Sequence, residues 1–128
     1  MRNTLSRSES LKSYKLIRLL FSEGEVFFSY PYKVLFLAQK SSDNVPVRFL
    51  ISVSKKKIRT AVARNKIKRL FRESYRQNKH QLFDYLIANE KKIILAFIYV
   101  GDMDPEYNTL KDKTVKALEI LLKNLAKE

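Results

Sequence analysis

The chain of 128 residues has no cysteine and no tryptophan, only two glycines and three prolines, and a single histidine. Without a thiol there is no disulfide, no thiolate nucleophile and no cysteine-held zinc or iron–sulfur centre. Gly24 and Gly101 stand too far apart to build a glycine-rich loop around a phosphate. A protein that cuts phosphodiesters by itself usually needs a histidine pair or carboxylates holding metal ions. The lone His80 cannot make the pair, and it reads as an exposed helix-end residue. The densest carboxylate group, Asp102, Asp104 and Glu106 in "DMDPE", carries ordinary loop and helix-cap chemistry. No catalytic side chain and no metal ligand is assigned. Long apolar runs are missing too: "IILAFIYV" (93–100) is far short of the ~20 residues of a membrane helix. The opening "MRNTLSRSESLKSYK" has no apolar stretch of signal-peptide length.

Acid is the other scarcity. Thirteen acidic residues face 26 basic ones, a net charge of +13, while 45% of residues are hydrophobic. The length suits one domain with one core, residues 11–126, behind a flexible polar tail of residues 1–10. A folded domain with this charge has a polyanion as its natural partner, nucleic acid ahead of an anionic membrane. The expectation is a soluble, cytoplasmic, basic domain with no obligate protein partner.

Periodicity gives the organisation. "SYKLIRLLF" (13–21) predicts a short helix with Ile17, Leu20 and Phe21 on one face and Gly24 to stop it. "YKVLFLA" (32–38) and "VRFLISVS" (47–54) predict strands that pair as a hairpin across "SSDNVP". A basic helix over about 61–78 follows, then an apolar helical continuation in "QLFDYLI". "KIILAFIYV" predicts a fully buried strand, and a last amphipathic helix carries Leu110, Ala117, Leu118, Leu121, Leu122 and Leu125. Strand, helix and strand from 47 to 100 make a βαβ unit, so the class is α+β with a small mixed sheet packed by helices.

The basic helix holds most of the information. "KKKIRTAVARNKIKRLFRESYR" (55–76) contains ten Lys or Arg and one acid, Glu73. At helical spacing Ala63, Ile67, Leu70, Phe71, Ser74 and Tyr75 share an arc of roughly 140°, wide enough to pack on a sheet. Asn65, Lys68, Arg69, Arg72 and Arg76 share the neighbouring arc, with Arg64 at the boundary. A solvated helix normally mixes signs at i,i+4, whereas Arg64, Lys68, Arg72 and Arg76 form a ladder of one sign. Such a stripe, on the order of 24 Å long, needs phosphates to neutralise it. Thr60 can cap the helix, and Lys55, Lys56 and Lys57 lie beside its start.

"ARNKIKRLFRESYR", preceded by "ISVSKK", resembles the RNR signature of the bacterial ribonuclease P protein subunit, and "LKSYKLIRLLFSEGEVF" resembles that family's first helix. The likeness runs over roughly residues 9–125. It departs at Lys66 (third Arg of the triplet), at Arg59-Thr60 (usually Gly-Asn), at Ile17 (usually Phe) and at Phe97 (often Arg). The resemblance implies a mixed four-stranded sheet, about three helices and a left-handed βαβ crossover. It also implies a non-catalytic role. The RNA subunit, with Mg2+ bound to the RNA, removes the 5′ leader from precursor tRNA, and the protein grips RNA.

Two contact surfaces are expected. Lys55, Lys56, Arg64, Asn65, Lys66, Lys68, Arg69, Arg72 and Arg76 would meet folded RNA through phosphates and 2′-hydroxyls. Phe21, Tyr32, Val34 and Phe36 would line a cleft that stacks the single-stranded leader. The register of "FFSYPYKVLF" leaves Lys33 and Leu35 as the alternative cleft face. The rival functions are a structural, ribosomal-type RNA-binding protein, a helix-turn-helix regulator and a peripheral membrane binder. The strand at 47–54 argues against the second, and the need for the helix's apolar face in the core argues against the third.

Overall fold

A computed structural model describes residues 9–40, 45–102 and 105–127. In chain order the elements are α1 (Tyr14–Glu23), β1 (Glu25–Ser29), β2 (Tyr32–Gln39), β3 (Val47–Val53), α2 (Ala61–Asn78), α3 (His80–Ala88), β4 (Lys92–Tyr99) and α4 (Tyr107–Ala126). The four strands form one mixed sheet in the order β1-β2-β4-β3, with β3 parallel to β4 and the other pairs antiparallel. The expected α+β class and βαβ unit are present. The helical continuation is a separate short helix, so four helices stand among the described residues.

The expected pairing of β2 with β3 is wrong. β4 lies between them, and β2 instead makes its hairpin with β1 across Tyr30 and Pro31, joined by a cis peptide. The reason lies in β4 itself. Its residues 93–97 are all buried, so both faces and both edges of this strand must be covered, which places it at the centre. β1 escaped the sequence reading because its "EVFFS" is largely exposed at the sheet edge and shows no clean alternation of burial.

Helices cover the two faces unequally. α2, α3 and α4 pack on one face, where Tyr32, Val34, Phe36, Phe49, Ile51 and Phe97 meet Ile67, Phe71 and Tyr75. Edge-on and tilted rings fill this layer: Phe71 lies 4.7 Å from Phe97, and Phe49 lies 4.5 Å from Tyr75, centroid to centroid. α1 alone covers part of the other face, burying Leu20 on Leu35, Ile94 and Ala96. Ser13 caps α1 by accepting from the Leu16 N–H, and the Gly24 N–H closes it on the Leu20 carbonyl. A Cβ at Gly24 would collide with that carbonyl, so the turn into β1 requires glycine.

Residues 1–8 of the expected tail, and Asp104 of the carboxylate group, lie outside the described residues. Glu9 and Ser10 do not behave as tail. Ser10 bridges to Phe49 in parallel fashion, the Leu11 N–H donates to the Phe49 carbonyl, and the buried Glu9 carboxylate meets Lys79 Nζ at 2.8 Å. Backbone pairing along the exposed edge of β3 and the buried lysine between α2 and α3 hold this segment in the fold.

Candidate nucleic-acid interface

α2 sorts its side chains as the helical period demands. Thr60 accepts from the Ala63 N–H at 3.2 Å and starts the helix. Ile67, Phe71, Ser74 and Tyr75 are buried, and Ala63 and Leu70 pack against the same core. On the neighbouring face Asn65, Lys66, Arg69 and Arg72 are exposed, Lys68 is half-buried, and Lys55 and Lys56 are exposed in the preceding loop. No acidic side chain among the described residues pairs with Arg69 or Arg72.

Some of the cations in and beside the stripe are already engaged. Arg64 Nη1 donates to the carbonyls of Ile58 and Arg59 at 2.9 and 3.0 Å, so this guanidinium braces the loop that leads into α2. Lys57 ties the same loop to the end of β4, with Nζ donating to the Val100 carbonyl at 2.8 Å. Arg76 forms an ion pair with Glu73, which also accepts from Gln77. The Arg76 guanidinium holds the Glu73 carboxyl below the usual carboxylate range. The uncompensated part of the stripe is therefore centred on Asn65, Arg69 and Arg72.

The cleft residues must be corrected. Tyr32, Val34 and Phe36 are 0, 0 and 2% exposed; they face α2 and α4 in the core. The Tyr32 hydroxyl bonds Thr114 Oγ1 of α4 at 2.9 Å, and burial pushes its pKa well up. Alternation then turns Lys33 and Leu35 to the α1 side, where Leu35 is buried beneath the helix. What stays open there is a row across the sheet: Phe28 opposite Lys33, Lys33 opposite Ile98, Ile98 opposite Ser52. Phe28 is 69% exposed, with Lys33 Nζ 6.0 Å from its ring centroid, and Phe21 of α1 is half-exposed. The row lies at the end where β3 and β4 finish and the 54–60 loop leads into α2, so the aromatic row and the start of the cationic stripe adjoin. Only the register of β1, which had not been recognised as a strand, could have pointed to Phe28.

The Ribonuclease P family model matches residues 5–122. A ribonuclease P protein component from Porphyromonas gingivalis is 39% identical over 114 residues, covering 89% of this chain and 83% of the relative. The chain belongs to the ribonuclease P protein family. Its relative from Chlorobaculum tepidum is 32% identical over 95% of this chain and 85% of that protein. Among solved structures, the RNase P protein from Thermotoga maritima superposes with a TM-score of 0.64 at 26% identity, covering 86% of this chain and 94% of that one. The RNase P protein of Staphylococcus aureus shares the fold, with a TM-score of 0.63, 22% identity and 88% and 94% coverage.

Against that family frame the departures gain a structural meaning. Phe97, one of those departures, points into the α2 side of the core against Tyr32 and Phe71. Ile17 is half-buried on α1 and packs against the smaller core cluster. His80 is half-buried rather than exposed, in a recess with Leu118 and Leu122 of α4. Among the described residues no group of three His, Asp or Glu side chains is arranged to hold a metal ion. No helix among them is long and apolar enough to cross a membrane.

Proposed function

We propose that this protein serves ribonuclease P by gripping RNA on two adjoining surfaces. The RNA subunit, with Mg2+ bound to the RNA, hydrolyses the bond that releases the 5′ leader of precursor tRNA, and no protein side chain takes part in that step. Lys55, Lys56, Asn65, Lys66, Lys68, Arg69 and Arg72 meet phosphates of the folded RNA, with Arg64 and Arg76 flanking them. The leader lies over Phe21, Phe28, Lys33 and Ile98, where an aromatic face and a cation suit single-stranded RNA of any sequence. The complex works in the cytoplasm. The observation that carries the reading is the pair Arg69 and Arg72, exposed on a helix whose other face is buried and unmatched by any described carboxylate.

Adding the protein to a bacterial ribonuclease P RNA and precursor tRNA at low magnesium tests it: cleavage rises. Absence of any gain would favour a purely structural, ribosomal-type RNA-binding role. If about five phosphates are neutralised, log affinity falls with log salt at a slope of roughly −3.5 to −4.5. Arg69→Ala and Arg72→Ala each flatten that slope by about 0.7–0.9. Because both side chains are exposed, thermal stability holds within about 0.5 kcal/mol. Unchanged binding in both variants removes α2 as the grip.

A further inference from the structure

α1 is thinly held. Of its ten residues only Leu20 is buried, with Leu16 and Ile17 partly buried against the same small cluster. A helix of this length is marginal in water, so its few contacts and its two ends must keep it in place. One end runs through Gly24 directly into β1. The other depends on residues 9–11. Leu11 is buried in the cluster under α1, its N–H donates to the Phe49 carbonyl at 2.8 Å, and Ser10 bridges to Phe49. Lys79 Nζ donates to Glu9 Oε1 at 2.8 Å, both side chains being buried. Lys79 is itself fixed between α2 and α3. Its carbonyl accepts from the Phe83 N–H at 3.0 Å, and its ammonium lies 5.0 Å from the Phe83 ring centroid. The pair thus joins the lead-in of α1 to the end of the helix that carries the cationic stripe, across 70 positions of sequence.

Stability alone does not account for such a pair. Apolar residues of like volume are often as stable in its place, because two charges must be stripped of water. What the ion pair adds is direction. Glu9 is the only acid in residues 1–22, and its neighbours are Ser8 and Ser10. A slip of one residue against β3 would take the carboxylate away from the ammonium and turn Leu11 out of the core. It would also carry the start of α1 about 3.3 Å along the strand.

We propose that Glu9 and Lys79 are positioning residues for the leader: their buried pair locks the register of residues 9–11 on β3 and so sets where α1 presents Phe21. Neither side chain touches RNA. This role rests on the leader surface proposed above and deepens it.

Two measurements test it. The first is leader preference: the affinity of the full chain, assembled with a bacterial ribonuclease P RNA, for a long-leader precursor tRNA relative to mature tRNA. The second is hydrogen exchange at the Leu11 amide of the protein alone, which reads the register without RNA. Glu9→Leu/Lys79→Met fills the site without charge, so it folds, and it leaves the net charge unchanged. In this variant leader preference falls at least about fivefold, the lower worth of one stacked base. Leu11 exchange quickens about tenfold or more as the segment opens locally. Glu9→Lys/Lys79→Glu rebuilds the pair with its charges exchanged and brings both readouts back toward the parent. An apolar variant that keeps the parent's leader preference, or its Leu11 protection, overturns the proposal. So does an exchanged pair that restores neither readout. Arg69→Ala/Arg72→Ala, run alongside, weakens both RNAs alike, so loss of the α2 grip is not mistaken for loss of leader preference. A parent with no leader preference overturns the leader surface and the positioning role with it, and Leu11 exchange then still shows whether the pair locks the register.

Discussion

Tyr32 offers the sharpest test of where the sheet turns its faces. Thr114 Oγ1 donates its only proton to the Leu110 carbonyl at 2.9 Å, so in the 2.9 Å contact with Tyr32 the phenol is the donor. The Tyr32 ring is held by Phe71, Phe97 and Tyr99 at 5.7, 5.4 and 6.1 Å, all independent of the hydroxyl. Tyr32→Phe therefore keeps the packing and removes one buried hydrogen bond, at about 1 kcal/mol. Thr114→Val removes the acceptor and strands a buried donor, which costs more, about 1–3 kcal/mol. The double variant has neither orphan, so its loss is smaller than the sum by roughly 0.5–1.5 kcal/mol. With about 2.1 cal/mol/K of unfolding entropy per residue, each kcal/mol moves Tm by about 4 °C in a chain this long. Thermal unfolding followed by circular dichroism measures all three, and affinity for a leader-bearing precursor tRNA is measured on the same samples. The expected result is a stability cycle with coupling and no change in affinity for Tyr32→Phe. If Tyr32→Phe left Tm untouched and weakened leader binding, the phenol would belong to the cleft and the burial argument would be wrong.

Other consequences follow from the same geometry. Phe28→Ala lowers affinity for precursors with long leaders by about 1–3 kcal/mol, the usual worth of one stacked base, and leaves leaderless tRNA unaffected. Equal loss for both RNAs would move the leader elsewhere. Its stability is expected to stay within about 0.5 kcal/mol, since the ring is largely exposed. Glu9→Gln withdraws the carboxylate from the buried Lys79 ammonium and should cost about 3–5 kcal/mol, lowering Tm by about 10–20 °C. A drop of under about 4 °C would show that the pair is solvated in solution and that the segment before α1 is not anchored by it.

The positive stripe was legible from sequence because it depends on one helix only. A period of 3.6 residues fixes which positions of α2 share a face, and the scarcity of acids, with Glu73 alone in reach, marks a face the helix can satisfy only in small part from within. Even so, sequence grouped Arg64 and Arg76 with Arg69 and Arg72. Arg64's engagement with the Ile58 and Arg59 carbonyls emerged only from the folded chain, whereas the i,i+3 pair of Arg76 with Glu73 is within reach of the helical period. The cleft was less accessible still. Alternation in "YKVLFLA" states that Tyr32, Val34 and Phe36 lie together, and they do; it cannot state whether that face is open. That depends on which helices land on which side. α2 and α4 come from later in the chain, and Thr114, the partner of Tyr32, is 82 residues away from it. The central position of β4, which separates β2 from β3, is likewise a choice among non-local pairings that no local pattern records. Local periodicity thus determined the charged surface of this protein, and long-range packing decided which aromatic residues remain outside to meet a ligand.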